Sequence, residues 1–199
     1  MIRTARTTLA ALALGTTLVL AGCSDAGTGD HDEHPAAGSS SETSAGVTTA
    51  SDADVMFAQM MIPHHEQAVE MSAIVLAKDG VDERVVALAE QIEAAQAPEV
   101  EQMTAMLDRW GADPSGGDHG GHMDGMLDDE ALAALEAAPA EEAQRLFLEG
   151  MVEHHEGAVA MAQDVLAEGE DPEVRALAEE IVATQQEEID TMRGLLAEL

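Results

Sequence analysis

"MIPHHEQAVEM", residues 61–71, returns at an offset of 90 as "MVEHHEGAVAM", residues 151–161. Met61, His64, His65, Glu66, Ala68, Val69 and Met71 have identical counterparts in Met151, His154, His155, Glu156, Ala158, Val159 and Met161. Phe57 and Phe147, the only two phenylalanines of the chain, share that offset, as do Leu76 and Leu166. After a one-residue contraction, Leu88, Ala89, Glu90, Ile92, Gln96, Glu99 and Met103 match Leu177, Ala178, Glu179, Ile181, Gln185, Glu188 and Met192. Each repeat holds two segments of helical period and so predicts a helical hairpin. One hairpin cannot bury its own apolar stripe. Two hairpins facing each other predict an all-α four-helix bundle.

The composition around the repeats agrees. Everything after residue 50 is rich in Ala, Leu, Glu, Gln and Met, with few β-branched runs. Ser51 can cap a helix running to about Lys78, which "KDG" at 78–80 ends. A second helix is expected from about Asp82 to Arg109, broken or bent near Pro98. Residues 110–125 predict a loop, and Asp128 to Ala138 a short helix. Long helices should follow from about Ala140 to Ala167 and from Asp171 to Leu199. The helical domain thus spans 51–199, with repeats at about 52–109 and 140–199.

The N-terminus predicts export. Arg3 and Arg6 precede an apolar run, Leu9 to Leu20, that is short for a transmembrane span. The run ends in "LAGC", residues 20–23, the pattern of a bacterial lipoprotein signal in which Cys23 is lipidated. Residues 1–22 are then a signal peptide, and residues 23–50, poor in large apolar groups, a flexible tether. Cys23 is the single cysteine. Once lipidated it leaves no thiol for a disulfide or a thiolate metal site, which suits an oxidising space outside the cytoplasm. The expected location is the extracytoplasmic face of the cell membrane, reached through the lipid anchor.

The formal net charge is −32. Such a charge opposes binding to nucleic acid or anionic lipid and concentrates cations. Most of the acids serve as solvated helix faces.

Phe57, Met60, Met61, His64, Ala68 and Met71 fall at intervals of three and four on one stripe, which Phe57 and Met71 mark as the core side. His64 lies in the middle of it. His65 sits about 100° around the helix. The expectation is at least one inward histidine per doublet, with the other at the edge of the interface. The partner stripe of Leu88, Ile92, Met103 and Met106 is interrupted by Gln96 and Glu99, and its copy by Gln185 and Glu188. A buried carboxylate needs a partner, and a histidine is the obvious one. A carboxylate that orients an imidazole is also the usual support of a metal-binding histidine.

A methionine stripe is ordinarily core filler, and an inward histidine ordinarily a satisfied core residue. Here paired histidines, flanking methionines and an opposing Gln and Glu all occur twice. Metal binding through His64, His65, Met61, Met71, His154, His155, Met151 and Met161 is therefore expected. Gln96, Glu99, Gln185, Glu188, Met103 and Met192 would stand behind them. Thioether sulfur and imidazole favour Cu(I) and, by extension, Ag(I). A di-iron site would want duplicated Glu-x-x-His, which the chain lacks. Zinc would accept His and Glu but leaves the methionines unexplained. "HDEH" at 31–34, and His119, His122, Met123 and Met126 in the central loop, are further metal-catching tracts. No nucleophile with a base, phosphate loop or cofactor fingerprint is present, which argues against an enzyme. The contrasting expectation is an acidic helical interaction module whose Met/His core is purely structural.

These motifs resemble the family catalogued as domain of unknown function 305. Its signature is a Met-x-x-His-His-x-x-Ala-x-x-Met-like helix followed by a Gln-x-x-Glu-(Ile/Val)-x-x-Met helix. The first element is met at Met61 to Met71 and at Met151 to Met161. The second is met at Gln96, Glu99, Val100 and Met103, and at Gln185, Glu188, Ile189 and Met192. The resemblance covers about residues 52–199 and implies a ferritin-like bundle, usually exported, with copper- and silver-associated members. Pro63 is matched by Glu153, and Pro98 has no equivalent near Glu187, so the half-sites are expected to differ.

Overall fold

The computed structural model describes residues 50–115 and 123–199. Five helices account for its regular structure: α1 (Asp52–Leu76), α2 (Glu83–Trp110), α3 (Asp129–Ala137), α4 (Ala140–Glu168) and α5 (Pro172–Glu198). Among the described residues there is no strand, and no helix is long and apolar enough to cross a membrane. Cys23, the tether with His31 and His34, and the loop histidines His119 and His122 lie outside the described residues.

The ends of the helices follow from local chemistry. Ser51 and Asp54 form a capping box at α1, which satisfies two otherwise orphaned N–H groups. Asp82 and Asp171 cap α2 and α5 with their carboxylates. Gly111, at φ +67°, ends α2 in the left-handed conformation. Asp54 also reaches across to the α4–α5 turn, where its Oδ2 accepts the backbone N–H groups of Glu170 and Asp171, each at 3.1 Å. One buried carboxylate thereby ties the start of α1 to the turn of the second hairpin.

Pro98 does not break α2, which is helical from Glu83 to Trp110. Of the expected break or bend near Pro98, the break is corrected here. Pro98 is exposed. The carbonyl left without its helical N–H can turn to water, so the interruption costs the helix little packing. Pro63 likewise sits within an uninterrupted α1.

The two hairpins are α1–α2 and α4–α5, and they meet chiefly through α1 and α4, with a lighter contact between α2 and α5. The short α3 rests on α1 and α4. Two apolar clusters fill the interior. One contains Phe57, Met61 and Ile62 of α1, Met103 and Leu107 of α2, Ala158 and Val165 of α4, and Leu177 and Ile181 of α5. The other contains Met71 and Val75, Leu88 and Ile92, Phe147 and Met151, and Ile189 and Leu195 from the same four helices. The early half of α1 shares a cluster with the late half of α4, so these two helices run antiparallel. Each fully buried Met, Leu or Phe contributes roughly 1.5–3 kcal/mol. Between the clusters, at the middle of all four helices, the core changes from apolar to polar.

Candidate metal centre

The polar layer consists of His64, His65, His154, His155, Gln96, Gln185 and Glu188, all buried, and the partly buried Glu99. The His64 and His154 rings meet across the α1–α4 contact in a tilted arrangement, with centroids 3.7 Å apart and planes 40° apart. His65 Nε2 donates to Glu99 Oε2 at 2.6 Å, and His155 Nε2 donates to Glu188 Oε2 at 2.9 Å. A carboxylate only accepts, so these contacts fix the Nε2–H tautomer and leave the lone pair of each ring on Nδ1. The duplicated sequence thus yields duplicated geometry: an inner imidazole pair flanked by two carboxylate-held imidazoles.

All four histidines are fully buried. The expectation that His65 and His155 lie at the edge of the interface is corrected: each is as enclosed as its neighbour. The glutamate opposite is the reason, because it satisfies one ring nitrogen inside the protein and removes the need for water. Glu188 is the better enclosed of the two carboxylates, at 3% side-chain exposure against 16% for Glu99. Its other oxygen, Oε1, accepts from Gln91 Nε2 at 2.9 Å. Gln91 is invisible to the repeat pattern, because its equivalent in the second hairpin is Glu180 and only one hairpin supplies the contact.

Six of the eight imidazole nitrogens have no hydrogen-bond partner: both of His64, both of His154, and Nδ1 of His65 and His155. The Gln96 amide and the Gln185 oxygen are also unpartnered. Each such buried group costs about 1–3 kcal/mol, so the layer is held at considerable expense to folding. Burial pushes the His64 pKa down to about 3, helped by the neighbouring His65 and His155, while the Asp124 backbone carbonyl, which faces the ring without closing a well-formed hydrogen bond, pulls weakly the other way. His154 is also driven well below the ordinary histidine value, first by burial and then by His64, His155 and His65. Both inner imidazoles are therefore neutral, the form in which histidine binds a metal.

Thioethers surround the layer. Met61, Met71, Met103, Met151 and Met192 are fully buried within the adjoining clusters. Met161 is not with them: it is partly exposed and lines an outer groove with Met56 and Met60. Among the described residues no three His, Cys, Asp or Glu side chains converge as a metal-holding group; the close imidazole pair is His64–His154.

A segment of the central loop straps the layer. Gly125, at φ +88°, lies so close to α4 that a Cβ there would stand 2.4 Å from the Glu153 carbonyl oxygen. A Cβ at Gly157 would stand 2.0 Å from the carbonyl oxygen of Asp124. Both positions require glycine for this approach. From α1, Gln67 holds the same strap with two bonds: its Nε2 donates to Leu127 O and its Oε1 accepts from Leu127 N, each at 2.8 Å. Met123 and Met126 travel with the strap and are partly buried.

The chain matches the family described as Domain of unknown function (DUF305) over residues 54–196 and belongs to that family. It is similar to a solved DUF305 fragment from Deinococcus radiodurans, with 40% identity and a TM-score of 0.69 over 75% of this chain and 99% of that one. A DUF305 protein from Streptomyces coelicolor, described as a candidate secreted protein, is 36% identical at TM-score 0.69, covering 73% of this chain and 93% of that one. CopM in its Cu(I)-bound form is 30% identical at TM-score 0.62, covering 73% and 96%; CopM has also been solved with Cu(II), with silver and without metal. Uncharacterized protein L153 of Acanthamoeba polyphaga mimivirus is 36% identical over 52 residues, which span 26% of this chain and about a third (34%) of the viral protein.

Proposed function

We propose that this chain is a lipid-anchored, extracytoplasmic protein that binds Cu(I) or Ag(I) in its histidine layer, for sequestration or handover in metal homeostasis. The single observation that carries the reading is the set of six unpartnered ring nitrogens on four buried, closely paired or carboxylate-held imidazoles. A neutral imidazole offers one lone pair, so the four rings offer four. The His65 and His155 lone pairs are aimed by their glutamates, an arrangement that raises ligand basicity. Soft monovalent ions match the combination of imidazole with the thioethers of Met61, Met71 and Met151. Structural likeness to CopM, solved with Cu(I) and silver, supports the same choice. We take the four long helices as a ferritin-like four-helix bundle and the chain as a binding protein rather than an enzyme. The Cys23 signal and the likeness to a candidate secreted relative support the location.

The test is competition of the full chain against a Cu(I) chelator under reducing conditions, beside Zn(II) and Fe(II). Cu(I) uptake should dominate. Replacing His64 and His154 together by alanine should remove most of it while helical circular dichroism persists. Normal copper uptake by that double variant, or tight zinc binding without copper, would overturn the proposal.

A further inference from the structure

The thioethers of the layer are fully buried. Met56, Met60 and Met161 are not. Met56 is 43% exposed, and Leu199 at the C-terminus is the other exposed large apolar residue among those described. Met56 and Met60 stand at i and i+4 on α1, on one helical face. Met161, on the antiparallel α4, lines the same groove from the other side. Asp164 and Glu168, one and two turns beyond Met161, bring carboxylates to the same groove, while Phe57 and Val165 lie at its apolar base. Repeat symmetry does not require this: the equivalent of Met161 is Met71, which is fully buried, and the equivalent of Met56 is Leu146.

We infer that Met56, Met60 and Met161 form a second, surface site that takes up a soft monovalent cation, Cu(I) or Ag(I), outside the histidine layer. The chemistry selects this class. Thioethers have negligible affinity for hard cations and persist where thiols are oxidised. Asp164 and Glu168 add local negative potential to a chain of net charge −32, which draws a cation toward sulfur that a neutral groove would meet only by diffusion.

The site shares with the proposed function only the choice of metal class, so the two can fail separately. The full chain, labelled with 13C at its methionine methyls, is titrated with Ag(I), a redox-inert probe. The methyls of Met56, Met60 and Met161 should shift together. The triple variant M56L/M60L/M161L, near-conservative in volume, should keep its helical circular dichroism and take up one equivalent of Ag(I) fewer than wild type. The double variant H64A/H154A should retain the groove shifts. Unmoved groove methyls with unchanged stoichiometry in the triple variant would overturn the inference and leave the histidine layer standing. Groove shifts that vanish in the double variant would also overturn it, since they would then report on the layer. Absence of any Ag(I) uptake by wild type would sink both sites.

Discussion

Acidification of the metal-free protein isolates the inner imidazoles. His64 titrates near pH 3 in the folded chain and near 6.5 when unfolded, and His154 is likewise held well below its ordinary value. Between those limits the unfolded chain binds protons that the folded chain refuses. Stability is therefore complete above pH 6.5 and declines as the pH falls from there toward 3. Each such histidine contributes a slope of about 1.4 kcal/mol per pH unit. From pH 7 to pH 5 the loss is about 2 kcal/mol for His64, and His154 adds to it in the same direction. Ordinary carboxylates titrate mainly below this window, so it is comparatively free of the many acids. The assay is urea unfolding of the full chain at pH 7 and pH 5 with a metal chelator present, repeated on H64Q/H154Q. Wild type should lose about 2 kcal/mol or more, against about 5–15 kcal/mol for a typical domain, and the double variant should lose markedly less. Equal stability at the two pH values, or the same loss in the variant, would refute the argument that burial keeps these rings neutral.

Gly157→Ala places a methyl 2.0 Å from the Asp124 carbonyl oxygen; it should destabilise the protein by about 1–3 kcal/mol by displacing the strap, measurable by thermal unfolding. Glu188→Gln and Glu99→Gln should each lower Cu(I) affinity about 10- to 100-fold in chelator competition. Only Glu188→Gln should also lower the melting temperature clearly, because Glu188 is enclosed and held by both His155 and Gln91. Cys23→Ala should release the protein from the membrane fraction, and mass spectrometry of wild type should show lipid on Cys23; retention of the variant together with an unmodified wild type would count against the anchor.

Much of this architecture is legible in the repeat. The offset that pairs His64 with His154 and Phe57 with Phe147 also fixes which helix faces meet, and Ser51, Asp82, Asp171 and the 78–80 turn mark helix ends to within about two residues. Glu99 and Glu188 were legible as carboxylates needing histidine partners. Which histidine of each doublet was not, because a stripe analysis favours His64 and His154 as the inward residues and cannot weigh a histidine that becomes fully buried only once its nitrogen is satisfied. The strap was illegible for a different reason. Gly125 belongs to a Gly- and Asp-rich stretch without periodicity, and its contact with Glu153 is made by backbone atoms, which leave no residue-type signal. Gln91 escaped because its repeat equivalent, Glu180, is a different residue type.

The strap has a consequence for the duplication itself. Gln67 and Gly157 occupy the same position in the two repeats, yet one grips Leu127 by two hydrogen bonds and the other makes way for Asp124. A single segment laid over two matching helices cannot meet both in the same manner. Two copies of the first hairpin would bring a glutamine where no side chain fits, and two copies of the second would offer no hook at all. The halves have thus ceased to be interchangeable, and the centre between them has a front and a back that neither hairpin possesses alone.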